Sequence, residues 1–246
     1  MQNKWEFRFS AAYFFKSVFF FIFTTKFSLF MHNKRVILDI QYFPPIEYFL
    51  YFLRYEEVLL EQYEHFQKQS YRNRCHINTA QGLKALSIPV LRANSKQLFK
   101  DVKIDYSQAW QLVHWRSLRS AYGKAPFFEY YADLLQLAFQ KKEVFLIDFT
   151  YPLLLQCLDW LRLHKHIRLT ESYLDMTKAP DNIACTDARS QVHPKKSSQN
   201  NSLYKPVAYL QHFGNTFVPK LSILDLLFCE GSNSPSILKQ SLHPLS

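Results

Sequence analysis

Arg72, Arg74 and His76 occupy every second position of QSYRNRCHI, residues 69–77. In an extended chain alternate side chains face opposite ways. The three basic groups then share one face, and Tyr71, Asn73, Cys75 and Ile77 share the other. A guanidinium presents paired donors, so two in line can fork around phosphate or carboxylate oxygens. A solvated hairpin face whose arginines pair with Glu61 and Glu64 produces the same pattern without a ligand.

His114, Leu118 and Tyr122 fall at i, i+4 and i+8, on one helical stripe. His114 is a candidate general acid–base, although its two tryptophan neighbours also suit a packed histidine. Asp148 lies in VFLIDFTY, an apolar setting that would raise its pKa and fit it for proton transfer. It can equally cap a helix beginning near Pro152. Asp225 has a structural explanation, with Ser222 as N-cap, Asp225 at N3 and Leu221 as staple. Cys75 has no identifiable base, so a thiol nucleophile is not indicated. Glu61 and Gln62 form the polar end of a strand, where α/β proteins place ligands.

The elements that must position these groups start with VILDIQ (36–41), an apolar run short enough for a buried strand. Pro44 and Pro45 turn the chain into a helix with Ile46, Phe49, Leu50 and Leu53 on one side. EVLLEQ (57–62) is the second strand of a parallel strand–helix–strand unit. Short β-like pieces over 63–106 form a hairpin region. Helices follow at 107–126 (Ser107 as N-cap, Gly123 near its end), 127–142 and 150–164. The fold class expected is α/β: a strand–helix–strand core, a β-hairpin region and several packing helices. Residues 176–203 lose all periodicity and read as a polar loop inserted within one domain spanning 31–231. Residues 232–246 read as a polar tail.

Residues 1–30 hold 10 of the 23 phenylalanines. Lys16 and Lys26 interrupt the apolar run, so a stable membrane span is not expected, and no small-residue cleavage site follows. Met31 opens a normal-looking start, and the segment before it reads as an overextended, non-globular N-terminus.

Four glycines in 246 residues, without GxGxxG or GxxxxGK[ST], argue against dinucleotide and P-loop sites. The four cysteines lack any CxxC, so neither a disulfide framework nor a zinc knuckle is indicated, and a reducing cytoplasm is the compartment this usage implies. The net charge of +10 favours anionic partners.

YFPPIEYF, QSYRNRCHI, ALSIPV, HWRSLRSAYGKAPFFEYY and FVPKLSILDLLF, in that order, resemble the WbqC-like protein family. The resemblance implies a protein related to cell-surface polysaccharide (O-antigen) assembly, with amino-acyl transfer to an amino sugar as the reaction. It carries over Tyr42, Arg72, Asn73, Arg74, His114, Tyr122 and Asp225. Many relatives have Gln-Pro where this chain has Asp39-Ile40, so either Gln41 takes that role or the branch diverges. Lys220 stands where the resemblance leads to an expectation of asparagine.

The leading expectation is therefore a transferase that binds a small anionic substrate, such as a sugar nucleotide or an acyl phosphate. Gln41, Tyr42, Arg72, Asn73, Arg74, His76 and Tyr122 would bind it, with His114 and Asp148 as catalytic candidates. Arg72→Ala and Arg74→Ala should then abolish turnover and leave the fold intact. Neither a cofactor nor an oligomeric state is specified. A nucleic-acid-binding protein is the second expectation, disfavoured because the lysines are scattered and no binding motif is present. A scaffold without chemistry is the third.

Overall fold

The computed structural model describes residues 35–91, 96–177, 185–196 and 201–243. The N-terminal expectation for residues 1–30 lies outside them. β1 (Arg35–Asp39) buries four of its five residues, as a strand covered on both faces must. The chain turns through Pro44 and Pro45 into α1 (Ile46–Arg54), with Glu47 in its first turn and Arg54 in its last, each complementing the helix dipole. β2 (Glu57–Glu61) returns parallel to β1, Val36 opposite Val58 and Asp39 opposite Glu61.

After β2 come the antiparallel hairpin β3 (Arg74–Thr79) and β4 (Gly82–Ser87), then α2 (Trp110–Tyr122), α3 (Phe128–Gln140) and α4 (Leu146–Trp160). β5 (His166–Leu169) pairs parallel to β2, and β6 (Cys185–Asp187) pairs parallel to β1. α5 (Ile223–Glu230) and α6 (Ser234–Gln240) close the chain. The sheet order is β5-β2-β1-β6. Successive strands step outward from β1 to β2 to β5, and β6 then adds on the opposite side of β1. The order therefore reverses between β1 and β6, and in open parallel sheets such a reversal opens a crevice at the carboxyl ends of the strands.

The α/β class and the strand–helix–strand opening are as expected; several local expectations are not. The extended stretch begins at Arg74, because residues 68–72 form a turn with Gln69 at φ 60°. Residues 102–106 make only isolated bridges, Val90 with Ile104 and Lys103 with Phe145. Ser107 does not cap α2; its N–H donates to Asp105 Oδ1, and the helix starts at Trp110. α4 starts at Leu146, so Pro152 falls inside it. The 176–203 segment contains β6, three residues too short to show a period. The supposed tail includes α6, whose Ile237 and Leu238 are buried and which packs against α1. No helix among the described residues is long and apolar enough to cross a membrane.

Candidate functional site

At the reversal between β1 and β6, four segments meet. Asp39 ends β1, and Gln41 follows two residues later. The backbone N–H of Tyr42 donates to Tyr71 O (2.8 Å), which ties this segment to the turn carrying Arg72. After β6 the chain passes through Ser190, at φ 56°, whose N–H donates to Asp39 Oδ1 (2.8 Å). Gln41 Nε2 donates to Asp39 Oδ2 (3.0 Å) and to Val192 O (2.9 Å). Both of those partners are acceptors, which settles the orientation of the amide and leaves Oε1 as its unengaged acceptor.

Arg72 comes from the turn before β3, and its side chain is 1% exposed. Nε donates to Glu64 Oε1 at 3.1 Å; Nη2 donates to the same oxygen and to Ser190 Oγ, and lies 3.9 Å from Asp39 Oδ2. Two atoms in this cluster, Gln41 Oε1 and Arg72 Nη1, are buried without a hydrogen-bond partner among the described residues. A buried polar atom left unpaired costs roughly 1–3 kcal/mol. One acceptor and one donor beside the same carboxylate are thus left without a partner among the described residues.

The guanidinium is shared by two carboxylates. Burial, and then the charge of Asp39, push the Glu64 carboxyl up to about 7 against the opposing pull of Arg72. His193 beyond the cluster is held below the usual histidine range by burial, with Asp39 opposing. Glu61, fully buried, accepts from Tyr63 N, Thr170 Oγ1, Leu174 N and Arg189 Nη1 and so ties off the end of β2. Arg189 also pairs with Asp187 and lies 4.9 Å from the Tyr173 ring centre.

Glu64 also faces outward. It lines a cavity of about 990 Å³ together with Tyr63, His65, Phe66, Gln67, Lys68, Leu98 and Tyr173. That volume is at the upper end of the range for small-molecule sites. The carboxyl thus stands between an aromatic cavity and the buried pair of unsatisfied atoms.

Of the residues singled out in the sequence, the structure brings Gln41 and Arg72 together here. The alternating basic face is not formed as expected: Arg72 lies in the turn and points to Glu64 and Asp39, whereas Arg74 Nε donates across the hairpin to Ser87 Oγ (2.9 Å). His76 packs edge-on against Tyr71, and burial, then Arg74, lower its pKa. Asn73 Nδ2 donates to Ile88 O (2.8 Å) and holds the base of the hairpin. Tyr42 is buried, and its hydroxyl lies 2.9 Å from His114 Nδ1. His114 is 3% exposed among Trp110, Phe139 and Tyr42, and burial lowers its pKa to about 4. At neutral pH it is an uncharged core residue. Asp148 is exposed in the first turn of α4, so the low-dielectric setting read from VFLIDFTY is absent: its neighbours Leu146, Ile147, Phe149 and Thr150 are the ones buried.

Tyr122 is buried too. Its hydroxyl accepts from Asn78 N (3.0 Å) and donates to Asp225 Oδ1 (2.8 Å). Ser222 caps α5 as expected, accepting from Leu224 N. Asp225 does not reach back to the cap; Oδ2 accepts from Tyr209 OH (2.6 Å) and Gln211 Nε2 (3.2 Å). This cluster locks α5 to α2 and β3.

Glu64, Asp39 and Ser190 were the residues missed. Glu64 was visible only as an ion-pair partner, Asp39 as a break in an apolar run, and Ser190 as loop. The polar strand end at Glu61 and Gln62 was the one signal pointing to this edge. Among the described residues, no group of three or more His, Cys, Asp and Glu side chains is placed to hold a metal ion.

The profile of the WbqC-like protein family matches residues 40–237, a span that runs from the end of β1 into α6. The chain belongs to that family. The match includes Gln41, Glu64, Arg72 and Ser190, and begins one residue after Asp39. The chain is also similar to the uncharacterised protein Rv1507c of Mycobacterium tuberculosis, 25% identical over 230 residues, covering 84% of this chain and 98% of that protein. No solved structure matches it.

Proposed function

We propose that this protein is a transferase that holds an activated anionic donor in the cavity beside Glu64 and passes its acyl group to the amine of an amino sugar. The observation that carries the reading is Glu64 itself, a carboxyl raised to about 7 that lines a 990 Å³ cavity at the sheet's carboxyl edge. A general base works best when its pKa lies near the working pH. The amine nitrogen attacks the acyl carbon and a C–N bond forms. The C–O bond to the leaving phosphate breaks with its electron pair, and the amine proton goes to the Glu64 carboxylate.

Tyr63, Phe66 and Tyr173 line the cavity, and aromatic walls suit a sugar or base. Lys68 lines the cavity, and Lys100 lies 5.3 Å from the centre of the Tyr63 ring. These cations suit a donor phosphate better than Arg72, which Glu64 and Asp39 already engage. Support for a place in surface-polysaccharide assembly comes from the family resemblance, and the free cysteines fit a reducing cytoplasm. The test is turnover of an acyl phosphate with amino sugars, read by mass spectrometry. Glu64→Gln should slow it by at least ~100-fold; an unchanged rate excludes the mechanism.

A further inference from the structure

We propose that the cavity between the start of α3 and the end of α4 binds a free α-amino acid with an aromatic side chain. The inference goes beyond the transferase reading and needs none of its residues. The cavity measures about 370 Å³, within the range of small-molecule sites. Phe127, Tyr130, Tyr131 and Trp160 line it. Tyr131 stands edge-on to Tyr130 (ring centres 4.9 Å apart, 83°) and to Trp160 (5.0 Å, 68°), so these rings meet as adjoining walls and not as a stack. A Cβ on Gly231, in the turn after α5, would overlap the Phe127 ring, so glycine there is what lets that ring close in. Asp159 and Arg162 also line the cavity, which shares no residue with the one beside Glu64. It adjoins the turn into β5, whose first residue, His166, opposes Glu57 at the start of β2; the Glu64 cavity follows the other end of that strand.

The two charged side chains point to the ligand class. Asp159 and Arg162 are both exposed, and neither forms an ion pair with the other or with any other described residue. The one side-chain contact of the Asp159 carboxylate is Gln156 Nε2 at 3.5 Å. Arg162 sits at φ 55°, in the position after a helix where glycine is usual, and its N–H donates to Asp159 O (2.9 Å). The guanidinium is thus kept at the rim despite a backbone conformation that disfavours any residue with a Cβ. The helix ends repeat the pattern of charge, since the start of α3 is electropositive and the end of α4 electronegative. A lone organic cation would meet Arg162, and a lone carboxylate or phosphate would meet Asp159. A zwitterion meets each with its opposite: the carboxylate can fork onto the guanidinium and the ammonium can donate to Asp159. Its aromatic side chain then lies against the ring walls.

The experiment is calorimetric titration of the full chain with L-phenylalanine, phenethylamine and 3-phenylpropionate, which share one ring and differ in charge. L-Phenylalanine should bind saturably, and each analogue, lacking one charge-assisted contact, should bind at least ~10-fold more weakly. Arg162→Gln and Asp159→Asn, both at exposed positions, should each weaken L-phenylalanine by ~10-fold. Glu64→Gln should leave its affinity unchanged. No saturable binding of L-phenylalanine below about 10 mM, an analogue that binds as tightly, or an affinity unchanged in either charge variant would overturn the proposal. Tighter binding of phenethylamine would overturn it in favour of a site for organic cations, and a loss of affinity in Glu64→Gln would overturn it by placing the amino acid in the other cavity. Should a variant fail to fold, the comparison of the three ligands on the wild type decides alone.

Discussion

Arg72→Met replaces the guanidinium with a neutral side chain of similar length and leaves Asp39 and Glu64 facing each other. Both carboxylates are largely out of solvent, with side chains 3% and 11% exposed. Removing one partner of a buried ion pair costs roughly 3–5 kcal/mol, because the remaining charge is left unpaired. For a chain of this size each kcal/mol moves the melting temperature by about 2–4 °C, so the variant should melt roughly 6–20 °C lower. The loss should depend on pH. Without Arg72 the two carboxylates raise each other's proton affinity, and protonation of one relieves the repulsion. The deficit should therefore be larger at about pH 8 than at about pH 5.5, as linkage requires. Thermal melts of both proteins at the two pH values measure it. A shift under ~3 °C at the higher pH, or an equal shift at both, would show that water already solvates these carboxylates and that the cluster is not buried in the sense used here. The expectation that Arg72→Ala spares the fold is withdrawn for the same reason, and lost activity in that variant alone says nothing about substrate binding.

Glu64→Gln should change the pH profile of stability. The folded-state pKa of about 7 exceeds the ordinary 4.5, so the folded state holds a proton that the unfolded state releases, and wild-type stability falls as pH rises between them. The variant should lack this decline, which is on the order of 3 kcal/mol; denaturant titrations at several pH values read it. His114→Phe tests the opposite slope. The histidine pKa is depressed from 6.5 to about 4, so wild-type stability is lost as pH falls through that window. The variant should lack that acid sensitivity and lose ~1–3 kcal/mol at neutral pH, where Tyr42 OH is left unpaired. Gly231→Ala should destabilise by more than about 1 kcal/mol, since its φ is 51° and a Cβ would lie 2.4 Å from Phe127 Cδ1; a melt unchanged by the methyl group would contradict that. Lys220→Asn should stabilise by about 1 kcal/mol, because Lys220 sits at φ 63°, a left-handed conformation that asparagine tolerates better. A lower melting temperature would show that the lysine's own contacts outweigh the strain.

The parallel core was legible because its signals are local. The run VILDI, the proline pair and the helical spacing of Ile46, Phe49, Leu50 and Leu53 each act within a few residues, and together they specify β1, α1 and β2. β6 was not legible. Cys185, Thr186 and Asp187 have no apolar alternation, and they are a strand only because β1 offers an unpaired edge 150 residues earlier. Lys220 shows the converse case. The resemblance raised an expectation of asparagine at this position, and a physical reason for it, a φ of 63°, is visible only in the structure.

The basic ladder was misread for a related reason. Alternation assigns faces only where the chain is extended, and Gln69 at φ 60° opens a turn that carries Arg72 off the face of Arg74 and His76. The excess of basic residues then pointed to an anion clamp, although charge counted over a chain says little about charge at one point within it. At the crevice the balance is reversed: two carboxylates share one guanidinium, and the group left free to act is a carboxyl. The ion pair first taken as the bland alternative is also what makes the site. By holding Nε and Nη2, Glu64 orients the guanidinium and leaves Nη1 as its one unsatisfied donor. Burial, and then the charge of Asp39, hold the proton affinity of Glu64 near neutrality against the pull of Arg72.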